Sequence, residues 1–393
     1  MATAPLAVDT LPTITYWFFM WSIALRTLVA DRGKLFTALV GVVFSIVLVS
    51  VQGGLFVGLM CKAGLLVDHG EADVWVGHKK IHNVDLPSDI PRRWINQVRA
   101  VAGVRRAEPY LIGVSEMTLP SGGFENCVVV GVEPRNLLGN AWNLTQGSPQ
   151  SIVQTGGIFI DECEQAKLEN PHLGDLREIG GRRAKVVGKT RGITGFLIMP
   201  YIFTTVDRAT EYLHKSPQVC SYYLVQLESG ADPAAVCAAI QQRVRELDAY
   251  PREAYSRITT WYWITRTGLG VTFGAATLLG LFVGLIMVAQ TLYALVLDRL
   301  VEFGTLKAIG ATERQAFTVL FAQALSMAVV GSLLGLAIVA GIQRGYHTPQ
   351  AQIIIPWWLS SGSCLLVTAI CLVAAALPYA RIRKLDPLMV LQS

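Results

Sequence analysis

The stretch LFTALVGVVFSIVLVSVQGGLFVGLMC, residues 35–61, carries no charged side chain and exceeds the ~20 residues that an α-helix needs to cross hydrocarbon. Three further runs share this character, at 267–297, 315–343 and 345–380, and Pro356 marks the start of the helix within the last, giving a span at 356–380. Burying four such runs in a soluble core would require far more than 393 residues, and the mean hydropathy of +0.44 fits helices solvated by lipid. The chain reads as an integral membrane α-helical protein with four transmembrane helices in a one-plus-three order. The polar segment 62–266 between the first and second is a large mixed α/β extracytoplasmic domain.

Basic residues near helix ends set the orientation, because they are retained on the cytoplasmic side. Arg26, Arg32 and Lys34 precede the first span; Arg299, Lys307 and Arg314 lie in the loop 298–314; Arg381, Arg383 and Lys384 fall in the tail 381–393. The turn 344–355 holds only Arg344 and His347 and belongs on the opposite side. Both termini are therefore expected in the cytoplasm. The segment 62–266 holds 23 of the 33 basic and 22 of the 28 acidic residues, a near balance that gives no reason to expect nucleic acid. Within 1–34, residues 16–30 read as an interfacial helix, with Trp17 and Trp21 at headgroup depth and Arg26 and Arg32 facing the cytoplasm.

The external segment shows turn punctuation and no internal repeat, and two lobes are expected. Short strands are predicted at 73–76, 128–132, 156–160 and 222–227. A helix is predicted over 91–102, with Asp89 near its start, Ile95, Val98 and Val101 on one face, and Gly103 as its stop. Another follows Asp232 as N-cap and Pro233 at the first helical position, with Val236, Ile240 and Val244 at four-residue spacing.

Motifs for chemistry on this chain are decoys. Gly188-Lys189-Thr190 has the ending of a phosphate-binding loop, yet Arg183 stands where the glycine that lets the backbone wrap a phosphate is required. The run 359–363, Leu-Ser-Ser-Gly-Ser, sits at the start of the fourth span. His69, His78 and His82 lie on no predicted helix that would make a metal-site pair of them, and read as a solvated loop. Asp161, Glu162 and Glu164 form an acidic knot without an acid/base partner and read as surface. External Cys127, Cys163, Cys220 and Cys237 match no zinc spacing; buried thiols are the leading reading, with a disulfide as the other. No catalytic residue, metal or cofactor is expected on this chain.

What remains distinctive is the segment after the second span, Glu302-Phe303-Gly304-Thr305-Leu306-Lys307-Ala308-Ile309-Gly310-Ala311. Phe303, Leu306 and Ile309 recur at i, i+3, i+6 before Gly310. An apolar stripe on the cytoplasmic face needs a membrane surface or a protein partner.

This segment resembles the coupling-helix motif of the FtsX/MacB-type ABC transporter permeases, and Leu385-Asp386-Pro387-Leu388 resembles that family's ending. Arg32-Gly33-Lys34 leading into the first span, Val51-Gln52-Gly53-Gly54 near its end, and Val288-Ala289-Gln290-Thr291-Leu292-Tyr293 on the second are similar to the DevC branch. Gly131-Val132-Glu133-Pro134 and Pro200-Tyr201-Ile202-Phe203-Thr204 fit a MacB-like periplasmic domain.

The resemblance implies a non-catalytic permease of the bacterial inner membrane that works with a separate ABC ATPase subunit carrying ATP and Mg. In that reading residues 302–311 are the ATPase contact, and a second permease copy completes a homodimer. The second helix transmits motion to the external domain, driving export of a lipid, glycolipid or other periplasmic cargo through an adaptor and an outer-membrane duct. Alternatives within the resemblance are lipoprotein release of the LolC/LolE type and FtsX-like regulation of a cell-wall hydrolase. Absence of any ionisable carboxylate or amine from the four runs agrees with mechanotransmission rather than a channel. The resemblance also places the dimer seam on the second helix, where the GxxxG-spaced pairs Gly270 and Gly274, and Gly280 and Gly284, permit close approach.

Overall fold

The computed structural model describes residues 21, 26, 28–298, 313–345, 353–376 and 379. In chain order its α-helices are α1 (Arg32–Ala63), α2 (Leu65–His69), α3 (Ile95–Arg99), α4 (Val206–Tyr212), α5 (Pro233–Arg243), α6 (Arg252–Arg266), α7 (Leu269–Asp298), α8 (Glu313–Gly345) and α9 (Trp357–Ala374). Its strands are β1 (Val74–His78), β2 (Ile90–Pro91), β3 (Val104–Thr118), β4 (Phe124–Val132), β5 (Leu144–Gln146), β6 (Gly157–Asp161), β7 (Leu176–Ile179), β8 (Arg182–Thr190), β9 (Tyr201–Thr205), β10 (Val219–Cys220), β11 (Tyr222–Leu227) and β12 (Leu247–Pro251). The described residues fall into two compact units, divided between Val57 and Gly58 and between Val271 and Thr272.

The first unit is helical. Helices α1, α7, α8 and α9 are long and apolar enough to cross a membrane. Asp31 starts α1: its carboxylate accepts a hydrogen bond from the Lys34 backbone N–H at 3.2 Å, satisfying a donor that the first helical turn leaves open. Extended Pro356 (φ −65°, ψ 156°) caps α9, since proline fixes φ and lacks the N–H that a preceding turn would use. The expected interfacial helix over 16–30 lies largely outside the described residues.

The second unit is α/β. Residues 232–244 form as their sequence requires: the Asp232 carboxylate accepts from the Ala234 and Ala235 N–H groups, and Val236, Ile240 and Val244 are buried. The expected helix at 91–102 is shorter than its apolar spacing indicates. Pro91 is held extended in β2, pairing with Val219, and the Arg92 N–H bonds to the Gln218 carbonyl. A 3₁₀ turn then leads into α3. Asp89 does not cap this segment; it takes the Lys215 ammonium at 2.5 Å. Gly103 (φ +84°) ends the segment, in a conformation that glycine alone adopts without cost.

The long strand β3 organises the sheet. Its first half pairs antiparallel with β11, and its second half with β4. Beyond that point β4 pairs with β9, β9 with β6, β6 with β8, β8 with β7, and β7 returns to β3, so six strands close a ring. Each strand points alternate side chains inward: Met117, Val129, Ile160, Ile179, Val186 and Ile202 share one buried cluster. The outward residues Val128, Val130, Tyr201 and Phe203 join Trp75 and Tyr110 in a second core. A third core sets α3 and α5 against β1, β11 and β12. One continuous sheet therefore runs through both parts of the domain that were expected as two lobes.

Candidate functional site

In the spanning unit, small residues on α7 and α8 admit larger ones from α1. The space where a side chain would stand on Gly280 is filled by Leu48, and that on Gly284 by Ser45. The Ser45 hydroxyl lies within 3.0 Å of two carbonyls, those of Gly41 on its own helix and Gly280 on α7. Gly331 and Gly335 of α8 receive Val42 and Ile46, and the Ser50 and Ser363 hydroxyls bond at 3.2 Å between α1 and α9. Thus α1 packs on all three other spans. With no water to expel between apolar helices, close backbone approach and interhelical hydrogen bonds supply the association.

Of the four glycines expected at the dimer seam, Gly280 and Gly284 are buried against α1 of the same chain. Gly270 faces the Ile264 carbonyl. Of the four candidates only Gly274 opens onto free space, and it shares a face with Val271, Leu278 and Phe282, all exposed.

The residues expected to form the coupling helix, Glu302, Phe303, Gly304, Thr305, Leu306, Lys307, Ala308, Ile309, Gly310 and Ala311, lie outside the described residues. The last described residue before them is Asp298, at the end of α7, where its carboxylate pairs with the Lys34 ammonium; Lys34 also meets Asp31 at 3.1 Å. The entry to that segment is thus tied to the base of α1. Asp298 is 60% exposed, so the ion pair fixes position more than it contributes stability, typically ~0–1 kcal/mol.

In the α/β unit the sequence decoys resolve structurally. Gly188-Lys189-Thr190 lies in β8, where the Thr190 hydroxyl donates to Asp161 at 2.9 Å and Lys189 reaches Gln165 at 3.2 Å. The acidic knot is not solvated surface. Asp161 is buried and accepts from the Cys163, Gly192 and Ile193 N–H groups as well as from Thr190, holding the turn after β6 to the end of β8. Buried Glu164 pairs with Lys167 at 2.7 Å, and Glu162 with Arg191 at 2.7 Å. Local sequence showed three acids but not the donors of Thr190, Gly192 and Ile193, which lie some 30 positions away from Asp161. His69 stacks on Trp142 at 4.5 Å, and no metal-holding group of His, Cys, Asp and Glu occurs among the described residues. No disulfide joins any of the seven cysteines, and Cys127, Cys220 and Cys237 are buried.

Asp85 escaped the sequence reading. It is buried, accepting a hydrogen bond from the Tyr201 hydroxyl at 2.8 Å, while Oδ2 has no partner. Burial raises its carboxyl to about 6; Tyr201 and the Trp263 indole offset only part of that shift. The same burial and the nearby Asp85 charge push the Tyr201 and Tyr110 hydroxyls well above their ordinary range.

Together these features define a polytopic membrane protein whose spanning bundle carries a large α/β domain between its first and second helices. The MacB-like periplasmic core domain matches residues 35–243, more than half of the chain, and the FtsX-like permease C-terminal domain matches 274–387. The chain belongs to the FtsX/MacB-type permease family. One uncharacterized ABC transporter permease of Mycobacterium tuberculosis is 26% identical over 383 residues, covering 93% of this chain and 97% of its own. A second from the same organism is 25% identical over 304 residues, covering 76% and 78%. Among solved structures, the periplasmic region of MacB from Actinobacillus actinomycetemcomitans aligns with a TM-score of 0.37 at 10% identity, covering 48% of this chain and 92% of that one.

Proposed function

We propose that this chain is the permease subunit of an ABC exporter of the bacterial inner membrane, with both termini cytoplasmic. ATP and Mg are handled by a separate ATPase subunit, and this chain is non-catalytic. Residues 302–311 are the ATPase contact. Closure of two ATPases pushes these segments, and each α7 carries the motion to the large domain. The observation that carries this reading is the family match over both the external core and the C-terminal spans, together with the apolar stripe Phe303, Leu306 and Ile309 within the second matched region.

A homodimer completes the permease. Its seam runs along the exposed face of α7 through Val271, Gly274, Leu278 and Phe282, because the opposite face is already occupied by α1. Cargo of the DevC kind, a lipid or glycolipid, passes to an adaptor and an outer-membrane duct by movement of the large domain rather than through the bundle. Affinity purification of the tagged chain from its native membrane in mild detergent, with mass spectrometry of proteins and lipids, tests the reading. An ATPase with an adaptor supports it; an ATPase with a cell-wall hydrolase and no adaptor replaces export by regulation, and no ATPase overturns both.

A further inference from the structure

Helix α7 turns one glutamine away from its own bundle. Among the described residues of the four spans, Gln52 and Gln343 are half-buried and Gln323 is buried, whereas Gln290 is exposed. Val288 and Leu292, two residues to either side and hence about 200° around the helix, are fully buried. Phe282, Ile286, Tyr293 and Leu297, at spacings of three and four residues with Gln290, are all exposed and share its face. Among the described residues the Gln290 amide has no hydrogen-bond partner.

A helix of 30 residues is about 45 Å long, against a hydrocarbon layer of about 30 Å. Gln290 stands about 12 Å from the Asp298 end of α7, so it falls inside the hydrocarbon when the helix is centred in that layer. An amide at this depth has no water to bond, and leaving it against lipid is costly. Glutamines in spanning helices meet that cost by bonding to a neighbouring helix. A second copy of the chain supplies the partner with no further component. In a twofold seam each residue near the axis meets its own counterpart, and an amide, which carries both donors and an acceptor, bonds to itself as neither a carboxylate nor an ammonium does.

We propose that Gln290 joins two copies of this chain through a reciprocal amide–amide hydrogen bond across the twofold axis, within the hydrocarbon layer. The inference rests on the seam along the exposed face of α7 and extends it from Phe282 toward Asp298. Apolar contacts alone leave two such helices free to slide by a turn, whereas one polar pair in an apolar seam fixes which residues face each other. Ile286 and Tyr293 flank the amide on the same face and close it off from lipid.

Energy transfer between labelled copies of the full chain in phospholipid vesicles, measured over a range of protein-to-lipid ratios, tests this. Interhelical bonds of this kind shift association by about threefold to thirtyfold, so Gln290→Leu should weaken dimerisation by that factor. Gln290→Asn, which keeps the amide, should retain most of it, and both variants should melt like the wild type in detergent. Gln290→Cys should form a disulfide-linked dimer on mild oxidation, above the background of the unsubstituted chain. Dimerisation of Gln290→Leu equal to wild type, with Phe282→Cys still cross-linking between copies, would overturn the amide pair and leave the seam in place. Failure of both Phe282→Cys and Gln290→Cys to cross-link would overturn the seam together with the pair.

Discussion

Replacing Asp85 with asparagine should remove a pH dependence that this one carboxyl builds into the large domain. Its value rises from 3.8 to about 6 because burial disfavours the charged form, while the Tyr201 hydroxyl and the Trp263 indole only partly compensate. With the folded-state value above the unfolded one, the folded chain binds the proton more tightly between the two. The contribution of Asp85 is therefore fully present below about pH 4 and is lost as pH rises through about 6. A shift of this size corresponds to on the order of 3 kcal/mol, a sizeable fraction of a domain's net stability. Thermal unfolding of the full chain in detergent, followed by tryptophan fluorescence between about pH 4 and 7, reads it. The wild-type transition should fall across this window relative to Asp85→Asn, because every other titrating group contributes equally to both. Tyr201→Phe, which removes the hydrogen bond favouring the carboxylate, should move the window to higher pH. Parallel wild-type and Asp85→Asn profiles would refute the reasoning.

Other consequences concern packing. Gly284→Leu should destabilise the spanning bundle by ~1–3 kcal/mol, since the added side chain meets Ser45 and displaces its bond to the Gly280 carbonyl; a detergent melting transition unchanged from wild type would contradict the assigned contact. Gly274→Leu should leave that transition in place and reduce cysteine cross-linking between copies along α7, whereas undiminished cross-linking would move the seam elsewhere. Asp232→Ala should cost ~1 kcal/mol through loss of the cap on α5, and should speed hydrogen exchange at Ala234 and Ala235.

The spans were legible because four uncharged runs of this length have few soluble solutions, and the α5 cap because Asp-Pro before a four-residue apolar repeat is a local signal. Strand β11 was legible for the same reason, as an apolar run bounded by turns. Strand β3 was not: VRRAEPYLIGVSEMT mixes charges and a proline, and its pairing with β11, β4 and β7 is decided by residues far along the chain. Glycine spacing on α7 marked positions of close approach without naming the neighbour. A GxxxG pair states that something approaches closely, and only the fold shows that Ser45 and Leu48 are what approaches. Asp85 and Asp161 look alike in sequence, yet one ends with an unpartnered oxygen and the other with four donors, a difference set by distant backbone.

The central claim, that 302–311 engages a separate ATPase, is tested most directly by Phe303→Asp and Leu306→Asp in the tagged full chain. Each places a charge in the i, i+3, i+6 apolar pattern, in a part of the sequence outside the large domain's segment. Purified in mild detergent, both variants should lose the co-purifying ATPase while the large domain's melting transition matches wild type. Undiminished ATPase recovery with both would contradict the account.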